Sequence, residues 1–78
     1  MAKPLTKTKI VRHKEFYADG TLKAVGSYKG QHLHGRWRWY RKNGVIMRSG
    51  QFMDGIQVGE WITYDSNGQV YKRTVFKN

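Results

Sequence analysis

The side chains with chemistry to offer are three histidines, five carboxylates and fifteen Lys or Arg, and their spacing excludes more than it suggests. His32 and His34 stand two apart, as half of a metal site would, but His13 is distant and no carboxylate lies near them in sequence. A zinc-type centre needs three or four ligands brought together, so no metal and no cofactor is expected. The carboxylates Glu15, Asp19, Asp54, Glu60 and Asp65 are scattered singly, without a pair set for general acid and base work. There is no cysteine, and neither a nucleophile elbow nor a phosphate loop occurs. The residues point to a binding protein, not an enzyme.

The cations are organised. The formal net charge is +10 over 78 residues, which implies an anionic partner or surface, or else simple solubility. Between Gly20 and Met53 stand Lys23, Lys29, Arg36, Arg38, Arg41, Lys42 and Arg48 with no acidic residue. From Ser49 to Tyr71 the balance inverts, with Asp54, Glu60 and Asp65 and no Lys or Arg. Met1 to Lys14 adds five more basic residues, either as a phosphate-binding arm or as a solubilising tail running into a first strand near Ile10. That stretch has no apolar run long enough for a signal peptide or a membrane span, so a soluble cytoplasmic protein is expected.

What must position these side chains is an internal repeat of 24 residues. Trp37 recurs at Trp61, Tyr40 at Tyr64, Asn43-Gly44 at Asn67-Gly68, Gly35 at Gly59 and Gly26 at Gly50. Asp19-Gly20 falls in the same register, so three units fit. Each unit reads as a hairpin: an alternating aromatic half, an Asx-Gly turn and a mixed apolar half. A type I turn closing on a left-handed glycine with a bulge is the expected geometry. No window carries apolar residues at helical spacing. Strands are expected near 10–17, 22–28, 35–41, 46–53, 59–65 and 70–76, with glycine-bounded connections at Lys29–Gly35 and Met53–Gly59. The fold class is therefore all-β, a single-layer antiparallel meander of three repeated hairpins. A basic arm would cover 1–9 and a repeat domain 10–78, with units at about 10–33, 34–57 and 58–78.

The unit Gly-x-Trp-x-x-Tyr, followed by Asn-Gly, an apolar residue and Gly-x-Tyr/Phe, resembles the MORN repeat in its bacterial variant form, common among YwqK-like antitoxins. The likeness spans about residues 13–76; the first unit departs from it, with Val11 where Gly35 and Gly59 stand and His13 in place of the Trp. The resemblance implies a sheet of twisted hairpins and a role in binding without a catalytic site.

Residues shared between units answer to a common structural demand, so Trp37, Trp61, Tyr40, Tyr64, Tyr28, Phe52, Phe76 and the turn glycines are expected to be scaffold. Candidates for partner binding are the differences. Arg36 corresponds to Glu60, Arg38 to Ile62, Arg41 to Asp65 and Lys42 to Ser66, while Trp39 stands where Glu15 and Thr63 do. A tryptophan flanked by arginines is the combination most enriched at binding hot spots, which makes Arg36, Arg38, Trp39, Arg41, Lys42 and Arg48 the candidate site. The plainer alternative is a solvated basic face with Trp39 covering a neighbouring strand. Alternation would place Arg36, Arg38 and Tyr40 on one side and Trp37, Trp39 and Arg41 on the other, so one face cannot hold them all.

An acidic protein partner, toxin or effector, is the expected ligand, and nucleic acid bound through phosphates and stacked bases is the alternative. Anionic membrane is a weaker prospect, for want of an amphipathic anchor. Lys9, Arg12, Lys14, Lys72, Arg73 and Lys77 are expected to guard the two edges against strand pairing, and an uncovered aromatic face to favour self-association or a lid.

Overall fold

The computed structural model describes residues 9–77; the expected arm at 1–9 lies outside these except for Lys9. Six antiparallel strands form one sheet in chain order: β1 (Ile10–Phe16), β2 (Leu22–Lys29), β3 (His32–Tyr40), β4 (Ile46–Met53), β5 (Ile56–Tyr64) and β6 (Val70–Phe76). No helix occurs among the described residues. The sheet is a slab with extents of 56 × 34 × 10 Å.

Three hairpins close as the Asx-Gly pairs require. The amides of Gly20, Gly44 and Gly68 donate to the carbonyls of Tyr17, Arg41 and Asp65 at 2.8–2.9 Å. The strand register slips at Glu15/Phe16, Trp39/Tyr40 and Thr63/Tyr64, the bulge that such a turn creates.

The links between hairpins differ from expectation. The seven-residue connections are two-residue turns, Gly30-Gln31 and Asp54-Gly55, and β3 and β5 begin three residues earlier than expected, at His32 and Ile56. Asp54 and Gly55 both have positive φ, 50° and 86°, the signs of a mirror-image turn matched to strand twist. Gly35 and Gly59, which in the sequence look like loop ends, lie inside strands with φ of 78° and 69°. There the register jumps, opposite Val25/Ser27 and Ser49/Gln51, so each glycine bends its strand where a tryptophan crosses its neighbour.

That crossing is the core. Trp37 and Trp61 are 2% and 4% exposed although, among the described residues, no second layer covers the sheet. Each indole lies flat on a glycine of the preceding strand, Trp37 on Gly26 and Trp61 on Gly50, where a Cβ would fall inside the ring. The indole N–H groups donate to the carbonyls of Ser27 (3.0 Å) and Gln51 (3.2 Å). Tyr28, Phe52 and Phe76 close in edge-on, at centroid distances of 5.5 Å from Trp37, 5.0 Å from Trp61 and 6.2 Å from Trp61. The aromatic face thus covers Trp37 and Trp61 itself and leaves Trp39 partly exposed.

A second brace repeats with the first. The Tyr17 hydroxyl donates to the Tyr40 carbonyl (2.6 Å), and 24 residues on Arg41 Nη2 donates to the Tyr64 carbonyl (2.8 Å). Neither lock is complete beyond β6 or before β1. Thr74 occupies the register of Gly26 and Gly50, His13 that of the tryptophans, and Asp65, which cannot donate when ionised, that of Tyr17 and Arg41. Asp65 instead accepts from the amides of Asn67 and Gln69.

Candidate anion-binding face

Residues directly opposite each other across a ladder share a face, so the register sorts the side chains. Trp39 pairs with Ala24 and Arg48, and Trp37 with Gly50, on the indole face. Arg12 pairs with Ser27, Lys14 and Arg38 with Val25, and Arg38 also with Ser49, on the opposite one. The six candidate residues therefore do not form one surface.

Arg36 and Arg38 lie on the second face and are exposed. Trp39 and Arg48 lie on the indole face. The Trp39 ring bridges Trp37 and Trp61, with centroids 5.7 Å from each, and the Arg48 guanidinium lies over Trp61 at 4.9 Å and Trp39 at 5.8 Å. Here Trp39 fills the gap between two repeated indoles and the arginine caps the row as a cation over aromatic rings. Arg41 is a brace for the third hairpin, doing with a guanidinium what Tyr17 does with a hydroxyl. Lys42 sits exposed in the Arg41–Val45 turn, apart from both groups.

What the structure does bring together is Arg12, Lys14, Arg36 and Arg38. None of the four has a carboxylate within ion-pairing distance among the described residues. Between the two pairs β2 carries the floor residues Val25 and Ser27, and beyond β3 the floor continues with Ser49 and Gln51 on β4. The face is therefore corrugated. Arg12, Arg36 and Arg38 line a hollow of about 250 Å³ over Val25 and Ser27. A second hollow of about 380 Å³ lies over Ser49 and Gln51, with Arg36 and Arg38 on one wall and Glu60, Ile62 and Tyr64 on the other. Across that second hollow the charge changes. Glu60 is held by Arg73 at 2.6 Å, and the Tyr64 hydroxyl by Ser49 at 3.1 Å. Arg12 and Lys14 on β1 and Arg73 on β6 stand on the two edge strands, as expected, and their side chains also belong to this face; the same strands expose Ile10, Val11, Phe16, Val70, Tyr71 and Val75.

Unpaired guanidinium groups on two sides of a trough repel one another when it is empty and bind oxyanions in planar forks when it is filled. Arg12 and Lys14 were not among the sequence candidates, although the repeat carries their signal. Positions 12, 36 and 60 read Arg, Arg, Glu, and positions 14, 38 and 62 read Lys, Arg, Ile.

His32 and His34 are in strand β3, not a loop. His34 Nδ1 accepts from the Asp54 amide at 3.1 Å and the Leu33 carbonyl from that of Gly55 at 2.8 Å, so this segment receives the following turn. No cluster of three metal-ligating side chains occurs among the described residues.

The family model for the MORN repeat variant matches residues 11–29, 33–54 and 57–78, one match on each hairpin unit. The chain belongs to that family. MORN repeats are generally binding modules rather than catalysts. No curated protein and no solved structure matches the chain. Within the MORN frame the indole on glycine is what the second and third junctions share, whereas on the arginine face positions 12, 36 and 60 read Arg, Arg and Glu.

Proposed function

We propose that this MORN-repeat protein is a non-catalytic binding module of the cytoplasm that docks its arginine face onto an acidic surface of another protein, as a YwqK-like antitoxin or small inhibitor would. The observation that carries this reading is the group Arg12, Lys14, Arg36 and Arg38, exposed on one face without carboxylate partners among the described residues. Nucleic acid is the weaker reading because single-strand binding combines cations with aromatic platforms on one surface. Here the indoles lie on the other face, and two of the three are buried.

The test is a fluorescence anisotropy titration of the native chain against a labelled poly-glutamate peptide and a single-stranded oligonucleotide of equal charge, each at two salt concentrations. The peptide should bind, and Arg12→Gln/Arg38→Gln should weaken it roughly 5- to 30-fold, from about 0.5–1 kcal/mol for each exposed charge pair. An oligonucleotide that binds more tightly than the peptide, with affinity falling steeply in log salt, would overturn the reading.

A further inference from the structure

The two hollows on the arginine face differ in chemistry and stand at a fixed spacing. The first, over β2, is walled by Arg12 on β1 and by Arg36 and Arg38 on β3. The second, over β4, shares the Arg36–Arg38 wall and is closed on its far side by Ile62 and Tyr64, with Ile46 contributing a further apolar side chain. Their floors are two strands apart, about 9–10 Å. A segment in the polyproline II conformation advances about 3.1 Å per residue and brings every third side chain back to the same side, so three residues cover that distance with both side chains facing the sheet.

We propose that the arginine face recognises a protein segment in the polyproline II conformation carrying a carboxylate followed three residues later, on the same side of the segment, by an aliphatic side chain. The carboxylate enters the β2 trough between Arg12 and the β3 arginines, and the aliphatic group crosses the ridge into the β4 trough against Ile46 and Ile62. The segment runs across the strands rather than along a sheet edge. Charge complementarity selects the occupant: the first trough has three guanidinium groups and no carboxylate, whereas in the second Glu60 already has Arg73 and Tyr64 already has Ser49. With those polar groups satisfied, what remains free for a ligand on the far wall is apolar. This specificity rests on the acidic-partner reading above and adds a spacing rule to it.

Titration of the native chain by heteronuclear NMR with four short peptides tests it. They contain Glu-Gly-Gly-Leu, Glu-Gly-Gly-Ser, Glu-Leu-Gly-Gly and Gln-Gly-Gly-Leu, and poly-glutamate serves as the reference. The first should bind about tenfold more tightly than the second, as burial of one leucine allows, and should perturb signals of both Ser27 and Ser49. Ile62→Asn should erase the tenfold difference while leaving affinity for Glu-Gly-Gly-Ser intact, and Ile46→Asn should reduce it should Ile62→Asn fail to fold. Equal binding of the first three peptides would refute the spacing rule while leaving acidic recognition standing. If poly-glutamate also fails to bind, or a single-stranded oligonucleotide displaces every peptide at lower concentration, the acidic-partner reading falls with it.

Discussion

Gly50→Ala isolates the contact on which the fold depends. A Cβ at position 50 would fall inside the Trp61 ring, and its neighbours there are ring carbons, not the free end of a flexible side chain. The indole cannot slide aside cheaply, because its N–H is bonded to the carbonyls of Gln51 and Val58, each at 3.2 Å. It must lift from the sheet. A buried Trp removes about 150–250 Å² from water, worth about 4–6 kcal/mol at the usual transfer coefficient. Exposing half of that area, with the loss of about 1 kcal/mol of hydrogen bonding, gives roughly 3–4 kcal/mol. The total stability of a domain this size is about 4–12 kcal/mol. Gly44→Ala is the control, because its Cβ would meet open space and the cost is the left-handed backbone at φ 91°, roughly 1–2 kcal/mol. At the central difference of about 2 kcal/mol, thermal unfolding followed by far-UV circular dichroism should place the midpoint of Gly50→Ala about 8–16 °C below that of Gly44→Ala. The double variant Gly50→Ala/Trp61→Ala should be scarcely less stable than Trp61→Ala alone, since the clash vanishes with the ring. Midpoints for the two glycine variants within a few degrees of each other, or additive losses in the double variant, would refute the indole-on-glycine account.

Trp61→Ala should cost more than Trp39→Ala by chemical denaturation, with about 3–5 kcal/mol lost for the former, because Trp61 is 4% exposed and hydrogen-bonded while Trp39 is partly exposed. Arg41→Ala should destabilise by about 1–3 kcal/mol in urea unfolding, and Arg41→Tyr should recover part of that if a donor to the Tyr64 carbonyl is what matters. The triple variant His13→Trp/Asp65→Arg/Thr74→Gly supplies both halves of the missing junction, so light scattering should show association rising with concentration beyond that of the native chain.

The hairpins, their turns and the structural tryptophans were legible in the sequence because each demand recurs after 24 residues: Gly20, Gly44 and Gly68 all take positive φ, and Trp37 and Trp61 repeat one contact. The starts of β3 and β5 were not. Gly35 and Gly59 look like loop ends, yet their positive φ serves a bend within a strand, which composition cannot separate from a turn. Arg41 was misleading for a different reason. Tyr17, Arg41 and Asp65 share no residue type, so repetition hides that the first two donate to equivalent carbonyls. Arg12 was overlooked because its unit lacks the glycine and tryptophan that announce the other two, with Val11 and His13 in their places.

A single-layer sheet has two faces but needs only one of them to fold. The indole face supplies the large buried side chains, Trp37 and Trp61, and is constrained at every glycine beneath a ring. On the opposite face Val25, Ser27, Ser49 and Gln51 form a low floor, and the residues above it contribute little to burial. Charge can therefore change there from unit to unit at small cost in stability, since exposed charges are each worth at most about 1 kcal/mol. Arg12 and Arg36 give way to Glu60, and Lys14 and Arg38 to Ile62, while the indole beneath keeps its place from the second unit to the third. Like charges gathered without partners oppose folding slightly, and nothing in the core requires them. Their concentration on the face free of packing duties is the physical ground for the proposal that this face takes a ligand, and the sign of the charge is the ground for proposing an acidic one.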